Sequence, residues 1–403
     1  MPAYVRELRE QWRPLLAAVI GLSSGYSIIS YVTSIMAPHL LREFGWSKAE
    51  FAAVSSLTLV CVLVFPVIGR LTDVAGVKRT ALVGVVACPI GYTLLSRMNG
   101  DIRVYIAIFL AMGLICITTT ATVYSRVVVR HVVHARGVAL AIVASGPAAM
   151  GVLAAPLLNE FVEAYGWRPG YLLVATFSGV LGVAALLLMP REGPAGALGR
   201  TTRVARDDYR AIFRNRSFWI LASAMLLCNL PQIIALTQLN LMLLDKGVRP
   251  EGIAIMISSF AMGTLAGRFV CGLALDRLPS HLVACCFMAL SSVGLFLMAS
   301  SVVSSPLIVL SVVLIGLTIG AEGDLISYLV ARAFGVEVYG TVMGMMTAII
   351  AGAASLGAII LSLMLRGGGG FAPFLSLCGV TVVLGAALLL LLGRNGGAAQ
   401  SGE

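Results

Sequence analysis

Apolar residues in this chain come in long runs separated by short polar connections. An α-helix needs about 20 mainly apolar residues to cross a bilayer. The pattern predicts twelve such helices, over roughly residues 14–37, 50–70, 80–97, 104–125, 137–158, 169–189, 217–243, 252–275, 281–300, 304–331, 339–364 and 371–392. Strands are excluded, because the runs are too long and lack period-two alternation. The predicted class is all-α and integral to a membrane. Ser47 to Glu50 reads as a capping box that opens the second span.

Composition agrees with this. Of 403 residues, 59% are hydrophobic and 11% charged, against about 25% charged in a soluble domain. The net charge of +10 raises nucleic acid as a partner. Its distribution argues against one, since there is no basic stripe interleaved with aromatics and the arginines cluster in alternate connections. One side of the predicted membrane carries more than twice as many lysines and arginines as the other. The positive-inside rule then places both termini in the cytoplasm. The apolar run after the basic segment Met1–Arg13 is long enough to span, so it is expected to stay in the mature protein. Trp46, Trp167 and Tyr171 are expected at the outer interface. The eight cysteines fall in or beside apolar stretches and are expected to be free, buried thiols. No cysteine has metal-ligand spacing with a histidine, and no cofactor is expected.

The one long polar segment, residues 191–216, is rich in glycine and arginine. It reads as a cytoplasmic linker with a short surface helix after Thr202, its basic face suited to anionic headgroups. It separates six predicted spans in residues 1–190 from six in residues 217–403. The halves share spacing. Gly69 and Asp73 close span 2, and Gly272 and Asp276 close span 8, both offset by 203 residues. Gly137 and Gly340, which open spans 5 and 11, keep the same offset. A six-plus-six parallel repeat is a signature of many secondary transporters.

Charges inside the spans carry the candidate chemistry. Arg268 stands alone in the uncharged stretch Ile253–Leu275. A charge at that depth costs about 2.5–3.5 kcal/mol on insertion scales. Glu322 and Asp324 lie in span 10. From a rise of about 1.5 Å per residue, all three sit at similar depth, nearer the midplane than the surface. Arg268 has three readings: a fork that binds a substrate carboxylate, a permanent structural partner of an acid, or a switch between the two. For the acids, desolvation and a nearby cation pull in opposite directions, as a proton-coupling residue requires. The acids point about 200° apart on a helix, so one is expected to face the central path and the other a neighbouring helix. Uncharged polar groups lie at the same level, among them Tyr26, Tyr31, Thr120, Asn229 and Gln232.

Gly69-Arg-Leu-Thr-Asp73-Val-Ala-Gly76-Val-Lys78-Arg79 resembles the loop motif of the major facilitator superfamily, and Gly272-Leu-Ala-Leu-Asp276-Arg277 resembles its degenerate second copy. The resemblance covers the whole chain in span count, linker and repeat. It implies two pseudo-symmetric six-helix bundles, with spans 1, 4, 7 and 10 lining a central cavity, so the five polar residues above become substrate-binding candidates. Asp73 is expected to accept hydrogen bonds from a helix N-terminus, or to pair with Arg136 or Arg79. With Gly69 and Asp276 this makes a charge latch that releases as the halves rock.

Three further motifs resemble the bacterial monocarboxylate and oxalate–formate-type organic anion carriers. They are Gly267-Arg268-x-x-x-Gly272-x-x-x-Asp276, Phe44-Gly45-Trp46-Ser47 and Ala135-Arg136-Gly137-x-Ala139. In those relatives a helix 8 arginine binds the substrate carboxylate. Spans 1 and 11 lack the lysine some relatives keep, which favours a monocarboxylate over a dicarboxylate. The implied function is proton-coupled transport of small organic anions by alternating access, in a bacterial inner membrane, by a monomer. Proton-driven export of drugs or lipophilic compounds and anion exchange are the alternatives. Gly146-Pro147 and Gly151 are present, but their spacing departs from the exporters' longer motif. A membrane enzyme or ATP-driven pump lacks support: there is no Ser-x-x-Lys, no His-Glu-x-x-His and no phosphate loop.

Overall fold

The computed structural model describes residues 3–46, 62–190, 205–232, 234, 238–301, 304–366 and 370–395. Helices α1 (Ala3–Glu10), α2 (Trp12–Ser24) and α3 (Ile29–Phe44) open the chain. They are followed by α4 (Phe65–Ala75), α5 (Val77–Ser96), α6 (Ile102–Ile115) and α7 (Ala121–His131). Next come α8 (Arg136–Tyr165), α9 (Trp167–Leu188), α10 (Ala205–Arg214), α11 (Arg216–Cys228) and α12 (Leu239–Asp245). The rest are α13 (Pro250–Arg277), α14 (Ser280–Ala299), α15 (Ser305–Phe334), α16 (Tyr339–Arg366), α17 (Ala372–Leu389) and α18 (Leu391–Asn395).

Among the described residues, nine helices are long and apolar enough to cross a membrane, and the pair α2–α3, bent by 45°, supplies a tenth. The spans expected over 50–70 and 217–243 contain residues outside the described set, as does the capping box at Ser47–Glu50. The bend falls where Gly25 adopts an extended conformation, followed by a 3-10 turn over Tyr26–Ile28. A matching break lies between α6 and α7, where the 3-10 turn Cys116–Thr119 ends at an extended Thr120. The two breaks touch, since the Tyr26 N–H donates to Thr119 Oγ1 at 2.9 Å.

The chain forms two compact units. The first comprises Met1–Ala135, Ile142–Arg203 and Phe334–Met345. The second comprises Arg136–Ala141, Val204–Ala333 and Met346–Glu403. Each unit therefore takes in the opening turns of one helix, α16 or α8, that sequence order would assign to the other half. The 203-residue offset also relates α1 to α10, the short surface helix after the linker. Each half thus begins with a short polar helix.

Two cores follow the units. In the first, Met36, Tyr92, Tyr105, Trp167 and Tyr171 pack together. Trp167 and Tyr171 are buried, which corrects their expected place at an interface. The Trp167 ring packs on Tyr171 and on Phe44, and Glu43 accepts from the Trp167 indole. In the second, Leu243, Leu295, Val312, Phe374 and Val382 pack together. The described cysteines are all free; Cys286 is exposed and Cys285 half-buried, and the others are buried as expected. Helices α13 and α15 pack through reciprocal glycines. A Cβ on Gly267 would strike the carbonyl of Leu317, and one on Gly320 the carbonyl of Thr264. Small residues at this spacing let two membrane helices pack backbone to backbone.

Candidate functional site

The glycine seam between α13 and α15 positions the charged residues in the second unit. Arg268 follows Gly267 directly, and Asp324 lies one turn beyond Gly320. Arg268 Nη1 stands 4.0 Å from Asp324 Oδ2, with the arginine side chain 22% exposed and the aspartate 3%. That separation exceeds a hydrogen bond, and Asp324 Oδ2 has no hydrogen-bond partner. The pair is attracted but not closed.

Glu322 faces another way. It is buried and interacts with the Asn229 side chain. Its Oε1 has no hydrogen-bond partner. Asn229, also buried, caps α11 and donates from Nδ2 to the Met225 carbonyl. Gln232 is half-buried beyond it. The acid expected to face an open path is therefore not found, because both carboxylates are buried. Gly323 between them is exposed, and nothing lies within 4 Å of where its Cβ would be. With successive residues about 100° apart, an outward position 323 turns 322 and 324 sideways, each against a different neighbouring helix. Toward the N-terminal end of α13, a groove of about 580 Å³ is lined by Ser258, Ser259, Met262, Gly263, Ala266 and Val313.

The repeat shows what the first unit has instead. At the same offset, Arg268, Glu322, Asp324 and Asn229 correspond to Phe65, Thr119, Ala121 and Tyr26. The contact is kept while the charge is lost: Tyr26 meets Thr119 where Asn229 meets Glu322. Thr120 is half-buried and its hydroxyl donates to the Ile117 carbonyl. Tyr31 lies elsewhere. Its ring packs on Gly151 and lines an apolar cavity of about 230 Å³ with Val32, Leu158 and Phe177. It is not among the polar groups around the helix breaks.

Two carboxylates receive helix N-termini. In the first unit Asp73 is buried and accepts from the Gly340 N–H at 2.9 Å, the Thr341 N–H at 2.6 Å and Thr341 Oγ1 at 2.6 Å. Arg126 Nη1 pairs with it at 2.6 Å, both side chains 2% exposed. The cation beside Asp73 is thus Arg126, not Arg79 or Arg136. Arg79 is exposed. Arg126 was missed because it sits at the inner end of an apolar helix and counts there as one more positive-inside residue. Beside it the Tyr339 hydroxyl donates to Ser125 Oγ at 2.9 Å.

In the second unit Asp276 accepts from the Gly137 N–H at 2.7 Å and the Val138 N–H at 3.1 Å. Arg136 belongs here, within electrostatic reach of Tyr328, as is Asp276. Gly69 and Gly340 meet backbone to backbone, as do Gly272 and Gly137; a Cβ on any of the four would strike its partner's carbonyl. These two glycine contacts are each other's image under the 203-residue offset.

A helical membrane protein with a paired repeat and buried charges at mid-span defines a class, the membrane carriers of small solutes. The comparisons identify the family. Residues 17–246, more than half of the chain, match the Major Facilitator Superfamily. The chain belongs to that superfamily and is an integral membrane protein. It is 26% identical over 285 residues to human monocarboxylate transporter 11, covering 69% of this chain and 59% of that protein. The chain thus spans about three fifths of that relative's length. Its fold matches the E. coli fucose:proton symporter FucP with a TM-score of 0.73 at 14% identity, covering 94% of this chain and 98% of the other. It also matches the human organic anion transporter MFSD10 with a TM-score of 0.69 at 14% identity, covering 96% and 100%.

Proposed function

We propose that this protein is a secondary carrier of small organic monoanions, working by alternating access with proton coupling. One observation carries the reading: a partly exposed Arg268 held 4.0 Å from a buried Asp324 whose nearer oxygen has no hydrogen-bond donor. An arginine fork binds a carboxylate strongly through two N–H donors. A substrate carboxylate arriving at Arg268 competes with Asp324 for the same charge. As Asp324 loses its counter-charge in a buried setting, taking up a proton becomes favourable. Anion binding and proton binding then support each other. Glu322, held beside Asn229, is a second proton carrier in the same helix turn. Asn229 and Gln232, in the same unit as Arg268, orient the rest of the substrate.

The name of one relative, a monocarboxylate transporter, supports the substrate class. That Arg268 has Phe65, not a second cation, at its repeat position favours one carboxylate over two. Gly69, Asp73 and Asp276 close the cytoplasmic side, together with Arg126 and Arg136. In this reading Arg79 contributes only to orientation, and the protein works as a monomer in a bacterial inner membrane with both termini in the cytoplasm.

The test is uptake of a panel of labelled carboxylates into proteoliposomes under an imposed pH gradient, for wild type, Arg268→Ala and Asp324→Asn. Saturable, proton-driven uptake that Arg268→Ala abolishes supports the proposal. Asp324→Asn should keep exchange of anion for anion and lose proton-driven accumulation. Exchange that ignores the gradient in the wild type would remove the proton roles and leave an anion exchanger. Normal transport by Arg268→Ala would sink the anion site and favour an exporter of uncharged or lipophilic compounds.

A further inference from the structure

The N-terminus of α8 is held by more than Asp276. The carboxylate of Glu7, on α1, accepts from three consecutive backbone N–H groups just before that helix: Val133 at 2.8 Å, His134 at 2.9 Å and Ala135 at 2.8 Å. Asp276 accepts from Gly137 and Val138. Two carboxylates from distant parts of the chain thus take five of six consecutive N–H groups, over residues 133–138. Successive N–H groups of this kind form an anion-binding nest, and the start of a helix adds partial positive charge.

Glu7 is well placed to hold this loop. Its side chain is 17% exposed, and His134 Nδ1 lies 3.7 Å away. Partial burial disfavours the Glu7 charge, but the three N–H donors outweigh it and keep the carboxyl below its usual value of 4.5. The ionised form is therefore bound at neutral pH. At the same offset the position of Glu7 is occupied by Arg210, so the second half has a cation there and no copy of this carboxylate.

We propose that Glu7 is a positioning residue for the cytoplasmic latch: it fixes the loop 133–135 so that Gly137 and Val138 present their N–H groups to Asp276. The role follows from chain continuity. One residue, Arg136, separates the two sets of donors, so a loose loop lets the first turn of α8 fray and weakens the grip of Asp276. The N-terminal helix acts as a strap on the Asp276 latch. Gly340 and Thr341, whose N–H groups Asp73 accepts, lie about 200 residues further along the chain from this loop.

This rests on the alternating-access reading, but its first test does not. Hydrogen exchange is measured on the full-length protein in lipid nanodiscs, comparing wild type, Glu7→Gln, Glu7→Asp and Asp276→Asn. Glu7→Gln should speed exchange at residues 133–135 and also at 137–141 by about ten-fold, the response to losing about 1.4 kcal/mol of local stability. Residues 340–345 should be unchanged. Glu7→Asp, which keeps the charge, should restore part of the protection. Faster exchange confined to 133–135, or equal effects on 137–141 and 340–345, overturns the proposal, as does full protection in Glu7→Gln. If Glu7→Gln does not accumulate, Glu7→Asp alone decides, since any loosening must reach 137–141. In uptake assays Glu7→Gln should change the maximal rate and leave KM for the anion within two-fold, while a role in binding would move KM. Failure of every variant and the wild type to move carboxylates would reject the transport reading and leave the exchange result standing.

Discussion

The Asp73 and Asp276 latches are copies of one device, and they differ in what surrounds the carboxylate. Both aspartates accept two N–H groups from the start of a helix, and both stand beside a pair of glycines in backbone contact. Asp73 is buried and adds a hydroxyl from Thr341 and a guanidinium from Arg126. At the equivalent positions near Asp276 the chain has Val138 and Leu329, and Asp276 is half-exposed. The first is the drier lock, and the second the wetter one. On the proposed alternating-access cycle such inequality is useful: the wetter contact is expected to release before the buried one.

The comparison is most sharply broken by Asp73→Asn. It keeps the shape but leaves Arg126 buried beside a neutral amide. Removing one partner of a buried pair costs about 3–5 kcal/mol. Thermal unfolding in detergent should show a large loss for Asp73→Asn and a clearly smaller one for Asp276→Asn; equal losses would mean the two sites are equally dry. The double change Asp73→Asn with Arg126→Met should recover much of the loss, because the uncompensated charge goes too.

Next in size are the glycines. Gly340→Ala and Gly137→Ala each force a methyl group into a neighbouring carbonyl. Overpacking of this kind costs about 1–3 kcal/mol. The two losses should be similar, because the glycine contacts, unlike the Arg126 guanidinium, are preserved by the repeat. A marked inequality in the unfolding temperatures would show that the helices separate more readily at one end.

Acid provides a smaller and graded test. The carboxyl of Glu7 lies below its usual value in the folded protein, so the unfolded chain takes up a proton first as the pH falls. The stability Glu7 confers is therefore complete above about pH 5.5 and is lost as the pH drops through its folded value. Hydrogen exchange at residues 133–135, corrected for the intrinsic pH dependence, should lose its protection over that acid range in the wild type and show no such step in Glu7→Gln. The smallest expected effect is a gain. Val138→Thr places a hydroxyl where Thr341 has one, and a hydrogen bond to a charged group contributes about 1.5–3 kcal/mol at best. Half-exposure of Asp276 reduces that, so a slight rise in unfolding temperature is expected, and none at all in an Asp276→Asn background.

Much of this was legible in the chain. Long apolar runs announced the helices, and the 203-residue offset announced which glycines and aspartates correspond. The helix that follows the linker was legible too, as α10. Three things were hidden. The sequence cannot report the direction of a side chain, so Glu322 and Asp324 were expected to divide between a path and a neighbour, whereas both turn sideways around an exposed Gly323. It cannot choose among nearby arginines, so Arg126 went unnoticed behind Arg79 and Arg136. It also gives no weight to a lone acid in a polar N-terminal segment, where Glu7 has three partners more than 120 residues away. Trp167 and Tyr171 show the same limit from the apolar side: an aromatic near a predicted helix end serves an interface or a core equally well.

The glycine seam between α13 and α15 has a consequence for timing. Backbones that touch through carbonyls cannot slide past one another without unlocking along their whole contact, so the two helices travel as one body. In the proposed cycle the distance between the roots of Arg268 and Asp324 is then constant. Whatever exchange of partners occurs there is a rotation about side-chain bonds, complete in picoseconds to nanoseconds, while whole-bundle rocking takes microseconds to milliseconds. On the proposed mechanism the charge rearrangement therefore reaches equilibrium many times over before each large movement, and its part is to set which movement is allowed rather than how fast it runs.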